Sequence, residues 1–215
     1  TDGEVFRAIT AGIDKDGKPL FPIMPYPAYS HMAREDVEAI IAYLRTIPAK
    51  EGESRKSEFD FPLNLIVRMM PQPYTEKSRP ARSDTIAYGG YLSRIAACHL
   101  CHTPTDDQGT PLPGMDFAGG EEFPDKNGII RSSNITPDMQ TGIGSWSKAY
   151  FIQRFKTYAK PEMQAIPLKD GLNPTDMPWY SFAGMTEEDL GALYAYLRTV
   201  PAVKNAVEKF TPKAK

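Results

Sequence analysis

Residues 97–102 read Ala97-Cys98-His99-Leu100-Cys101-His102, the pattern Cys-x-x-Cys-His, and they contain both cysteines of the 215-residue chain. Two thiols at this spacing can add across the two vinyl groups of a haem, and the adjacent imidazole then falls beneath the iron. Three other readings compete. A disulfide between Cys98 and Cys101 would close a very small loop and stabilise little. A zinc site needs four ligands, and the remaining histidines are His31, far upstream, and His99 inside the motif. A redox dithiol calls for a βαβ pattern around the cysteines, whereas the flanking sequence reads as helix and loop. The pattern favours one covalent haem c with His102 as an iron ligand. His99 reads as a surface side chain.

Working outward, Ser83 opens a helix in which Tyr88, Tyr91, Leu92 and Ile95 share a face and which leads into Cys98. Gly89 and Gly90 lower its helix propensity, which implies close approach to another helix, for which Tyr196 and Leu197 supply the natural partner. A further helix starts near Ser147 and presents Phe151, Phe155 and Tyr158. Downstream, Met177-Pro178-Trp179 precedes a terminal helix. A thioether on such a loop can reach the second face of the haem, and Pro178 fixes the loop backbone. A methionine is more often core filler, and the chain has nine.

A repeat singles out Met177. Met177–Pro201 (MPWYSFAGMTEEDLGALYAYLRTVP) aligns without a gap on Met24–Pro48 (MPYPAYSHMAREDVEAIIAYLRTIP), with 12 identities in 25 positions. Such self-similarity marks a duplicated unit. Thr186 and Asp189 form a capping-box-like start to the later helix, and Leu190, Leu193, Tyr194 and Leu197 its apolar face. In the earlier copy Val37, Ile40, Ile41 and Leu44 take that part, and Ala33 stands where the capping threonine would be, so its helix start should be weaker. Pro48 and Pro201 stop the helices. Thr1–Thr10 corresponds to the Trp146–Tyr158 helix, but no Cys-x-x-Cys-His precedes it. Either the sequence starts downstream of a lost haem-binding segment or the unit has become a helical prop. The first is favoured, because a Met-Pro-Tyr loop has little reason to persist without iron.

These residues resemble the class I c-type cytochromes, in particular the dihaem and multihaem cytochromes of bacteria that include the cytochrome subunits of alcohol and gluconate dehydrogenases. The resemblance rests on Cys98-His99-Leu100-Cys101-His102-Thr103-Pro104, Ser133-Asn134-Ile135-Thr136-Pro137-Asp138, Thr141-Gly142-Ile143-Gly144-Ser145-Trp146, and Met177-Pro178-Trp179 with the terminal helix. It implies an all-α fold around one covalent haem, with His102 and Met177 as the metal ligands. It also implies that the loop at Asn134 and the region of Trp146 line the haem, and that Trp179 packs against it. Arg131 reads either as a bidentate partner of a haem propionate or as a solvated charge.

The expected organisation is the back half of a cytochrome c-like unit at 1–48, without its own attachment motif, then an ordered connector at 49–82. A complete cytochrome c domain follows at 83–203, with a tail at 204–215. The apolar residues of the connector (Leu63, Leu65, Ile66, Val67, Met70) read as laid across one or both units. With both axial positions filled no substrate site remains, so the expected role is an outer-sphere relay of single electrons, not an enzyme. A haem peroxidase would need a displaceable ligand and distal acid–base groups, for which only His31 is uncommitted.

The implied partners are a periplasmic or membrane-bound dehydrogenase as donor and an oxidase or cytochrome of the respiratory chain as acceptor. The implied place is the periplasm or the outer face of the cytoplasmic membrane. With 25 basic and 27 acidic residues and no basic tract, nucleic acid is not an expected partner. No apolar run approaches the ~18 residues of a membrane span, and Thr1 shows no charged start with an apolar h-region. Twenty prolines predict ordered loops between short helices.

Overall fold

A computed structural model of the chain describes residues 1–21, 23–52, 57–160 and 177–213. The chain divides into two compact units, Thr1–Arg79 and Pro80–Lys215.

The first unit starts with α1 (Asp2–Ala11), whose N-terminus is closed by a capping box between Thr1 and Glu4. Gly12 ends it at φ 69, and a Cβ there would lie 2.6 Å from the Tyr26 ring, so only glycine fits. Short α2 (Tyr26–Tyr29) follows, with Tyr26 fully buried. Next comes α3 (Arg34–Thr46), whose cap Ala33 makes no side-chain hydrogen bond. Part of the connector folds back here: α4 (Leu63–Met69) buries Val67, Tyr74 donates to the Met32 carbonyl (3.1 Å) and Arg79 pairs with Asp36 (2.7 Å). Leu63, Leu65 and Ile66 are exposed.

Of the apolar face expected on α3, only Val37 and Ile41 are buried. Ile40 is 37% and Leu44 45% exposed. The expectation fails at these two positions because, among the described residues, no helix of this unit stands where a partner would cover them.

In the second unit α5 (Thr85–Ile95) is capped by Asp84, whose carboxylate accepts from the Ala87 amide (3.0 Å), not by Ser83. Ala97 then takes a left-handed conformation (φ 58), at a cost of roughly 1–2 kcal/mol for a non-glycine residue. This breaks α5 and opens α6 (Cys98–His102). After a loop come β1 (Glu122–Asp125) and β2 (Gly128–Arg131), an antiparallel hairpin. The helix α7 (Lys148–Lys156) is capped by Ser147 as expected and buries Phe151 and Phe155; Tyr158 lies in the 3-10 turn that follows it. Then come α8 (Trp179–Ala183) and α9 (Glu187–Leu197), the latter capped by Thr186 Oγ1 on the Asp189 amide (3.1 Å).

Helix α9 crosses α5 at the two glycines. A Cβ on Gly89 would lie 2.0 Å from the Ala192 carbonyl oxygen, and one on Gly90 would lie 3.0 Å from the Tyr196 ring. This is the close approach that the glycines imply. Leu190, Leu193 and Leu197 of α9 are buried.

The all-α expectation holds for the helices but needs one correction. Residues read as a tail form β3 (Phe210–Pro212), which pairs antiparallel with β2 to make a three-stranded sheet. Strands of three or four residues are too short for an alternation to show in the sequence. Among the described residues, no helix is long and apolar enough to cross a membrane.

Candidate functional site

Seven segments meet around one cavity of about 510 Å³, within the ~300–1,000 Å³ of small-molecule and cofactor sites. They are α6, the hairpin β1–β2, the loop 132–146, α7, the stretch Met177–Trp179, the end of α9 at Leu197 and the segment of Val207 and Lys209 before β3. Cys101, His102, Asn134, Trp146, Met177 and Trp179 all line it, as does Arg131.

His102 is buried, and its Nδ1 lies 2.7 Å from the Ser133 carbonyl oxygen. A carbonyl can only accept, so Nδ1 carries the proton and Nε2 keeps its lone pair for a metal. Desolvation holds the imidazole below its ordinary pKa despite that bond, which keeps it neutral. The His102 carbonyl in turn accepts from the Gly119 amide (2.7 Å). No disulfide joins the cysteines. Desolvation pushes the Cys98 thiol up to about 11, so it is a poor thiolate and ill suited to redox exchange.

Asn134 is a buried clasp. Its Oδ1 accepts from the Thr136 amide (2.9 Å) and hydroxyl (2.7 Å), while its Nδ2 donates to Thr141 Oγ1 (3.1 Å) and the Val203 carbonyl (2.8 Å). Trp146 packs edge-on against Tyr150, and its carbonyl accepts from the Tyr194 hydroxyl (2.7 Å). Trp179 lies flat on Tyr158 (4.9 Å, 12°) and against Phe155 (5.2 Å).

Arg131 is 20% exposed and is engaged by its own sheet. Nε and Nη2 reach Glu122 Oε1 (2.8 and 2.7 Å), and Nη1 donates to Thr211 Oγ1 (2.7 Å) and the Glu208 carbonyl (3.2 Å). The solvated reading does not hold, and little donor capacity remains for a propionate. His99 keeps to the surface, with Nε2 2.7 Å from Asp116 Oδ1.

Two positioning residues went unnoticed in the sequence. Lys156 donates to the carbonyls of Ala183 and Met185, tying α7 to the segment behind Met177. Asn205 donates to the carbonyls of Ala118 (3.1 Å) and Gly119 (3.2 Å), next to the amide that holds His102. Isolated Lys and Asn residues carry no periodic signal that would have marked either.

A largely apolar cavity, an imidazole with a free Nε2, and a thioether and the Cys101 thiol on its wall fit a covalent haem, while Cys98 is not among the residues that line it. Comparison with known proteins agrees. The chain is 31% identical to the fructose dehydrogenase cytochrome subunit of Gluconobacter japonicus, over 91% of this chain and 40% of that protein. It is 30% identical to the cytochrome c subunit of the quinone alcohol dehydrogenase of Gluconacetobacter polyoxogenes, over 98% of this chain and 46% of that protein. The chain is a homologue of bacterial c-type cytochromes. A diheme c-type cytochrome of Cereibacter sphaeroides extends the relationship at 24% identity, over 95% of this chain and 67% of that protein. The chain spans less than half the length of the two dehydrogenase subunits. No protein-family model matches it.

Proposed function

We propose that the protein relays single electrons through one haem c, bonded to Cys98 and Cys101 and held between His102 and Met177. The observation that carries this reading is that His102 and Met177 line the same cavity as Cys101. A haem iron held by the His102 imidazole and the Met177 thioether would supply one-electron chemistry at a higher potential than one held by two imidazoles or a thiolate. The chain's own part is to hold and enclose. The Ser133 carbonyl orients His102, Pro178 and Lys156 present Met177, and Phe151, Phe155 and Trp179 keep water from the cavity. With His102 and Met177 both given to the iron, no position would be left for a substrate, which favours a carrier over an enzyme.

The proposed donor is a periplasmic or membrane-bound dehydrogenase and the acceptor an oxidase or another cytochrome, on the outer side of the cytoplasmic membrane. The likeness to dehydrogenase cytochrome subunits supports this. The first unit is proposed to be the back half of a second cytochrome c-like unit, with α2 and α3 in the places of α8 and α9.

Reduced-minus-oxidised spectra of protein matured with a c-type haem system test the reading. A c-type α band and one haem per chain by mass are expected. Absence of the band in folded, matured protein overturns the assignment, and more than one haem overturns the count.

A further inference from the structure

The cavity wall has an uneven charge. Its ionisable side chains besides His102, Cys101 and Tyr150 are Arg131, Arg154 and Lys209, and no carboxylate lines it among the described residues. An apolar cavity with cations and no acid suits a flat apolar ligand that carries carboxylates, and a haem has two propionates.

The three cations are not equivalent. Arg131 has four of its N–H donors engaged by Glu122, Thr211 and the Glu208 carbonyl. Lys209 is exposed, on the short stretch before β3. Arg154 is half-buried on α7, and no carboxylate lies within ion-pair distance of it among the described residues. Its guanidinium instead sits over the rings of Trp179 (5.0 Å) and Tyr158 (5.5 Å). Stacking uses the face of a guanidinium and leaves its edge, where all five N–H groups lie, open for a planar carboxylate. The rings also fix the side chain beforehand, so little rotamer entropy is lost when a carboxylate binds.

We propose that Arg154, not Arg131, is the guanidinium that pairs with a haem propionate in this cavity. The proposal rests on the haem reading above. A cation beside a propionate destabilises Fe(III) relative to Fe(II), so Arg154 raises the reduction potential and holds the propionate ionised.

The test uses haem-loaded protein and the variants R154Q, R154K and R131Q. Midpoint potentials are read by spectroelectrochemistry from pH 5 to 9 and propionate vibrations by resonance Raman. In R154Q the α band is expected to remain, the midpoint to fall, the pH at which it begins to vary to move, and the propionate band to shift. R154K keeps the charge but not the fork, so its midpoint should stay nearer wild type while the propionate band still shifts; it decides the matter if R154Q does not fold. Wild-type potential and band in R154Q, or in R154K when only that variant folds, overturn the proposal. So does the same set of shifts found in R131Q and absent from R154Q. A wild-type protein without a c-type spectrum removes the haem reading and the Arg154 assignment together, whereas a normal spectrum with an unmoved R154Q removes only the assignment.

Discussion

Met24–Pro48 and Met177–Pro201 share nearly half their residues and the same helix–turn–helix form, yet they are buried differently. In the second unit Leu193 and Leu197 are each 3% exposed. Their counterparts Ile40 and Leu44 are 37% and 45% exposed, and Tyr43, the counterpart of Tyr196, is 68% exposed. Ala39 repeats Ala192, the residue whose carbonyl presses on Gly89. The first copy thus keeps a face of the same chemistry, and among the described residues of its unit no glycine-bearing helix lies against it as α5 does in the second. The contrast teaches that the repeat encodes half an interface. Amphipathic periodicity sets where a helix could bury its face, and the second element decides whether it does.

The largest expected difference between the copies is at their methionines. Met177→Ala should leave haem attached through the thioethers but open one iron face, so that reduced protein binds carbon monoxide and its Soret band moves. Met24→Ala should leave the spectrum as it is. If both variants bind carbon monoxide alike, or neither does, the two loops do not differ in iron ligation and the comparison breaks.

Next come the helix faces. Leu193→Ala removes a buried side chain from α9 and should cost about 2–5 kcal/mol in denaturant unfolding followed by haem absorbance. Ile40→Ala, on a face open to solvent, should cost about 1 kcal/mol or less. An equal loss would mean that α3 is covered in solution.

This difference also marks how far the sequence could be read. Cys98, Cys101 and His102 declare themselves because they form one contiguous motif whose spacing does not depend on packing. Met177 stands out among nine methionines only through the repeat. Ser147 and Thr186 are legible as caps because capping is local chemistry. What depends on distant partners is not legible. The strands β1 and β2 are four residues each, too short for an alternation to show, and β3 lies in what reads as a tail. Asn134 reads as a haem contact from its motif, but its partner at Val203 lies 69 residues away. The engagement of Arg131 appears only once Glu122 and Thr211 are brought beside it. The exposure of Ile40 is not legible for the same reason: periodicity names a face but not its neighbour.

The smallest expected effect concerns the helix starts. Thr186 and Ala33 hold the same position in their copies and the same extended cap conformation, ψ 159 and 147. Only Thr186 supplies an oxygen, to the Asp189 amide. Thr186→Ala should therefore cost about 1 kcal/mol, read from the transition that haem absorbance follows. The converse change, Ala33→Ser, should stabilise the first unit by less than this. Ala33 is fully buried, so a new hydroxyl must displace packed neighbours before it can reach the Asp36 amide, and overpacking offsets the gain. A calorimetric transition of the first unit raised as far by A33S as T186A lowers the second would show that Ala33 has room for the hydroxyl. The weakness of the α3 start would then lie in the missing cap oxygen alone.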